Sequence, residues 1–91
     1  MKPGRKLIES GAAACSDADL LAILLGSGGA GYSALDAAQE LLQKHGTLLD
    51  LMDRPLSELA AVRGIKAARA IRIAAAYELA RRLISLLERE R

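Results

Sequence analysis

Apolar residues recur along this chain at the three- and four-residue spacings of an α-helix, and start and stop signals bound each recurrence. Ser16 is a good N-cap for the apolar run 20–25, which stops at Gly26. Ser33 begins the next predicted helix, which stops at Gly46. Three shorter helices are predicted at residues 5–9, 47–52 and 55–62.

The last predicted helix runs from about Ala67 into the C-terminus and is apolar around most of its girth as far as Ala80. A helix with so little polar surface packs against several neighbours at once. We therefore expect this helix to lie at the centre of the domain. Beyond Arg82 the pattern changes, and we expect this tail to lead toward a further domain. It exposes four large apolar side chains, Leu83, Ile84, Leu86 and Leu87.

The composition favours an all-α fold over any fold that contains a sheet. The chain has 18 Ala and 17 Leu, which are strong helix formers, against one Val, one Thr and no Phe or Trp. Its 91 residues are enough for one domain and too few for two. We predict one compact bundle of five or six short helices over residues 1–91, with N-terminal helices at 5–53, a helix-hairpin-helix unit at 55–80 and a C-terminal extension at 83–91.

The net charge of +2 is unevenly divided along the chain. Residues 1–53 carry four Lys or Arg against seven Asp or Glu, whereas residues 54–91 carry nine against four. The second half therefore predicts a basic face for an anionic partner, although a solvated surface gives a milder version of the same count. With no membrane-length apolar stretch, no signal peptide and a lone Cys15, we expect a cytoplasmic protein without a membrane partner.

The segment 59–70 has the spacing of a helix-hairpin-helix turn. In that arrangement Gly64 allows a sharp turn with positive φ, Ile65 plugs the turn into the core, and Ala70 lets the two helices cross closely. The turn leaves free backbone N–H groups at the start of the second helix, where an anion can bind. The predicted nucleic-acid-binding residues are those of the turn and its surrounding cations: Arg63, Gly64, Ile65, Lys66, Ala67, Arg69 and Arg72.

One position departs from the usual hairpin, which reads glycine, apolar residue, glycine. Lys66 takes the place of the second glycine, and its Cβ costs roughly 1–2 kcal/mol if the backbone there is left-handed. The lysine also adds a positive charge beside the expected anion site at the start of the second helix. A helix–helix turn used only for packing is the alternative interpretation.

The other chemical motifs are weak. Residues 26–31 match the G-x-G-x-x-G pattern literally, but a dinucleotide site needs a preceding strand, and here the preceding pattern is helical. An interhelical loop is favoured, with a weak phosphate contact as the alternative. His45 and Cys15 stand alone, so we predict no metal ion, no cofactor and no catalytic residue.

The sequence resembles the N-terminal region of the RadC-like DNA repair protein family over about residues 2–85. The most specific block is SDADLLAILLGSG at 16–28, and KLIESG at 6–11, SALD at 33–36, LSEL at 56–59 and AAYELARR at 75–82 continue the match. Members of this family resemble two-part proteins, in which a helical N-terminal region precedes a metal-binding domain similar to the JAB/MPN metallopeptidases. Arg63 stands where proline is common in the family.

The resemblance to that family does not extend to the metallopeptidase-like domain. That domain uses a His-x-His pair and an Asp, whereas this chain has only His45. We therefore expect a non-catalytic module that binds the phosphates of duplex or branched DNA without sequence preference and in a salt-sensitive manner. The alternative is a protein-interaction or docking domain, in which the C-terminal leucines bind a partner or a second copy and the hairpin is purely structural.

Overall fold

The computed structural model describes residues 2–26 and 32–90, and all regular structure within those two ranges is helical. A short 3₁₀ turn at Ala12–Ala14 connects the first two helices. This architecture confirms the predicted all-α fold. Its six α-helices are α1 (Pro3–Ser10), α2 (Asp17–Leu25), α3 (Ala34–His45), α4 (Leu48–Leu51), α5 (Leu56–Ala60) and α6 (Ala67–Arg89).

Hydroxyl side chains start three of these helices, as the sequence pattern predicts. Each accepts a hydrogen bond from the backbone N–H three residues later, which satisfies one of the unpaired donors of the first turn. In α2 the bond is reciprocated, because the Asp19 carboxylate accepts from the Ser16 N–H at 2.9 Å. The three caps are Ser16 on α2, Ser33 on α3 and Thr47 on α4.

The hydrophobic core forms where α2 packs along α3, with α5 and α6 closing it. α1 contributes no buried residue and packs on the outside of α2. The core is therefore aliphatic, and it holds its helices close because alanines line α3. Its largest fully buried side chains are Leu25, Leu41, Leu51, Leu59, Ile65 and Ile73.

The expectation that α6 lies at the centre of the domain is wrong. Only Ala70 and Ile73 of this helix are buried, and Ile71 is 56% exposed on the opposite side. The helix packs against α2 and α5 through one stripe of its first half. Its first half is apolar around most of its girth, but the core occupies only one side of it.

None of the helices in the described ranges has both the length and the apolarity that a membrane span requires.

Candidate functional site at the turn between α5 and α6

Gly64 is fixed by two independent constraints at the turn between α5 and α6. Its φ of +84° lies in the left-handed region, which side chains disfavour. A Cβ at this position would stand 3.0 Å from the Cβ of Ala37 on α3, and 3.5 Å from the ring of Tyr32. The glycine therefore serves the turn and also lets the turn lie directly against α3.

Ile65 anchors this turn in the core. Its side chain is 1% exposed, and its backbone N–H donates to the carbonyl oxygen of Val62 at 3.0 Å. The expected plug is confirmed. The expectation that the Ile65 side chain lines a nucleic-acid contact is wrong, because a side chain this deeply buried does not reach a ligand outside.

Lys66 adopts an extended backbone, with φ −96° and ψ 179°, as the residue immediately before α6. Because any residue adopts this conformation, the strain expected from a missing second glycine does not arise. The Lys66 side chain is exposed, and so are Ala67 and Ala68 at the first two positions of α6. Lys66 therefore occupies this position without distorting the turn.

The start of α6 exposes backbone donors. The Ala70 N–H donates to the carbonyl oxygen of Lys66 at 3.0 Å and closes the first turn of the helix. The N–H groups before Ala70 precede the intrahelical ladder. Among the residues that the structure describes, no side chain caps this end of α6. These donors, with small side chains around them, form the part of the turn that an anion can approach.

Arg69 and Arg72 are engaged by the C-terminal end of α2. Arg69 donates to the carbonyl oxygens of Gly64 at 2.8 Å and Gly26 at 3.1 Å, and Arg72 donates to that of Leu25 at 2.8 Å. Cations at the last carbonyls of a helix satisfy those acceptors and the negative end of its dipole. The two arginines therefore tie α6 to α2. Their guanidinium groups are already hydrogen-bonded within the protein.

Arg63 stands apart from this pair. Its guanidinium lies 4.4 Å from the ring centroid of Tyr32, a cation–π distance. The Tyr32 hydroxyl donates to the Glu40 carboxylate at 2.7 Å, and this bond raises the pKa of Tyr32. Sequence reasoning missed Tyr32 and Glu40, whose only signal was the scarcity of aromatic residues in the chain.

The remaining candidate groups show no chemical centre. A weak phosphate contact from the loop 26–31 and the helix that follows it is only an alternative interpretation, and residues 27–31 of this loop lie outside the described residues. Cys15 donates to the carbonyl oxygen of Gly11 at 3.8 Å, and His45 lies in the last turn of α3. Within residues 2–26 and 32–90, no three His, Cys, Asp or Glu side chains come together as a metal site requires.

Comparison with known proteins assigns the chain to a family. The family model described as UPF0758 N-terminal matches residues 1–71. The chain therefore belongs to the UPF0758 family and corresponds to its N-terminal region. This family is the RadC-like one that the sequence blocks indicate, so the resemblance is confirmed at the level of the family.

Similar proteins come from Xanthomonas and Stenotrophomonas species. UPF0758 protein XCV4028 of Xanthomonas euvesicatoria is 51% identical over 89 residues, which are 97% of this chain and 40% of that protein. UPF0758 protein Smlt0399 of Stenotrophomonas maltophilia is 49% identical over 84 residues, 92% of this chain and 36% of that protein. The chain thus spans about two fifths of the length of these relatives. No solved structure matches it.

Proposed function

We propose that residues 55–80 form a helix-hairpin-helix unit, and that this chain is a non-catalytic module that binds DNA phosphates without reading sequence. The observation that carries the proposal is the exposed first turn of α6, where Lys66 and Ala67 surround N–H groups that no described side chain caps. In a RadC-like protein the module would hold DNA for the rest of the chain.

The physical basis is the helix dipole together with close approach. α6 is the longest described helix, and its N-terminus presents partial positive charge to an anion. Alanine at 67 and 68 leaves room for a phosphate to reach the backbone. Lys66 supplies a mobile ammonium beside these donors, and Arg63 adds a second cation on the turn.

The geometry divides the predicted contact residues by role. Lys66 and the N–H of Ala67 are the proposed phosphate contacts, with Arg63 flanking them. Gly64 shapes the turn, and Ile65 anchors it. Arg69 and Arg72 hold the unit against α2 and are not proposed to bind phosphate.

Binding by so few groups is expected to be weak and dependent on salt. Contacts to two or three phosphates give a log–log slope of affinity against salt of roughly −2 to −3. A labelled duplex titrated at low and at moderate salt measures this slope directly. A wild-type chain that fails to bind at low salt would refute the proposal.

Two variants separate binding from folding. Lys66→Glu reverses the nearest mobile charge, and we expect affinity to fall at least tenfold. Ala67→Glu places an acid in the first turn of α6, where it favours the helix but repels a phosphate. We therefore expect this variant to melt no lower than the wild type while losing DNA binding.

Arg89→Glu is the matched control for these variants, because it makes the same charge reversal at the exposed opposite end of α6. We expect its affinity to change less than twofold at constant salt. If Lys66→Glu and Ala67→Glu bind as the wild type does, or if all three variants weaken binding equally, the first turn of α6 is not the binding site.

A further inference from the structure

The second half of α6 presents an apolar face that nothing in the described chain covers. The stripe that packs on the core ends near Tyr77, and every residue from Arg81 to Glu90 is exposed. At the helical repeat, the apolar positions of this half together span an arc of about 160°. The large side chains of this face, the α6 tail face, are Leu79, Leu83, Ile84, Leu86 and Leu87, which are 48–64% exposed.

Three charged side chains on the opposite side of the same half-helix already form ion pairs. Arg81 binds Glu78 on its own helix and Asp53 in the loop between α4 and α5. Arg82 also binds Glu78, at 3.0 Å. The Asp53 contact ties the extension of α6 to the body of the domain. The α6 tail face is therefore carried on a helix that an ion pair joins to the body of the domain.

We propose that the α6 tail face binds the same face of a second copy of this chain. Exposed contiguous apolar patches of this kind mark interaction sites on soluble proteins. A self-complementary patch meets its own copy about a twofold axis, so one face supplies both sides of the interface. The leucines and isoleucine are chemically alike along the stripe, which suits such pairing.

The area of the face supports a weak dimer. Each of its five large side chains is about half exposed, roughly 100 Å² apiece, so complete burial on both copies would cover at most about 1,000 Å² in total. That total only reaches the lower limit for a specific interface, so we expect a weak dimer with a dissociation constant in the micromolar range or above. The pair therefore forms at high concentration and separates on dilution.

The dimer leaves the proposed DNA site open. Leu83 lies 16 residues after Ala67, so the two are about 24 Å apart along α6. Self-association and phosphate binding therefore use opposite ends of one helix. The association is driven by apolar burial and should persist at high salt, whereas DNA binding should not, so either proposal can fail alone.

Sedimentation equilibrium of the 91-residue chain from about 5 to 500 µM tests the proposal against the expected affinity. The wild type should change from monomer to dimer across this range, at low and at high salt alike. Leu83→Glu and, separately, Leu87→Glu should each weaken the dimer at least tenfold. Both side chains are exposed, so circular dichroism should show unchanged helix content in each variant.

Ile71→Glu is the matched control, because Ile71 is equally exposed on α6 but lies outside the α6 tail face. It should leave the dimer intact. A chain that stays monomeric throughout, a mass that rises beyond the dimer, or equal loss in Ile71→Glu would overturn the proposal. Binding of a monomeric chain to the unmatched part of UPF0758 protein XCV4028 would also overturn it and assign the face to a contact within longer relatives.

Discussion

At the scale of single residues, replacing Gly64 should lower stability for two separable reasons, backbone strain and crowding against α3. Gly64→Ala imposes a left-handed backbone on a side chain and also forces its Cβ to 3.0 Å from Ala37. We expect a loss of about 3 kcal/mol in the free energy of unfolding, since the strain costs about 1–2 and the crowding adds to it. Urea denaturation measures this loss.

Gly11→Ala is the control for that measurement. Gly11 has nearly the same φ, +87°, but nothing lies within 4 Å of an added Cβ. With ψ at 161°, Gly11 lies in a backbone region that is essentially confined to glycine, so the variant should cost only that backbone strain, about 1–3 kcal/mol. If Ala37→Gly, which removes the crowding Cβ, leaves the loss in Gly64→Ala unchanged, contact with α3 contributes nothing to the requirement for glycine at 64.

The residues at the turn also show which structural features the local sequence pattern specifies and which it does not. The positive φ of Gly64 and the burial of Ile65 could be predicted, because both follow from the spacing of a turn between two helices. The extended conformation of Lys66 could not, because the pattern reserved that position for a second glycine. The carbonyl partners of Arg69 and Arg72 on α2 lie 43 and 47 residues away, and no local signal specifies them.

At the scale of elements, the cap of α2 also fastens α1. Asp19 is 8% exposed and accepts hydrogen bonds from the Ser16 N–H and, at 3.0 Å, from the Lys6 ammonium. The Ser16 bond, followed by the bond from Lys6, lowers the pKa of Asp19 below its ordinary 3.8. One carboxylate thus joins the start of α2 to a helix that buries no residue of its own.

This lowered pKa predicts an acid-dependent loss of stability. A carboxyl whose pKa is lower when folded stabilises the fold at pH above its unfolded value. That contribution is lost as pH falls below about 4 and through the folded pKa. Asp50, with its pKa lowered by the Thr47 N–H, contributes in the same direction.

Asp19→Asn should therefore be less stable than the wild type at pH 7 and lose less stability between pH 5 and pH 2. Urea denaturation of both proteins between pH 2 and pH 7 measures the free energy of unfolding and how steeply it falls in acid. Asp17→Asn is the control, because Asp17 lies in the same first turn but is exposed. If the wild type and Asp19→Asn decline in parallel, the bonded Asp19 carboxylate is not the group that titrates.

At the scale of the whole molecule, local signals located the helices but not their neighbours. The beginning of α6 at Ala67 was predicted from its pattern, and so were the caps of the earlier helices. The position of α6 at the edge of the core was not, because a helix rich in alanine and leucine has no single apolar stripe to indicate which side is buried. The packing of α2 against α3 determines which side of α6 is buried, and this packing depends on contacts between separate parts of the chain.

The arginine clasp between α6 and α2 gives a prediction at this scale. Arg72→Ala leaves the Leu25 carbonyl without its cationic donor and removes one of the ties between the two helices. We expect a loss of about 1–2 kcal/mol in the free energy of unfolding, since a bond from a charged donor is worth more than a neutral one. Arg82→Ala, which removes only an exposed ion pair with Glu78, should cost under about 0.5 kcal/mol.

The same variant distinguishes a structural arginine from a phosphate ligand. Because the Arg72 guanidinium is engaged by α2, folded Arg72→Ala should keep its DNA affinity within about threefold of the wild type, less than the loss of a direct charged contact. DNA titration below the melting transition, beside urea denaturation, measures both quantities on one sample. If stability is unchanged but DNA binding is lost, Arg72 acts as the phosphate contact that its position in the sequence first indicated.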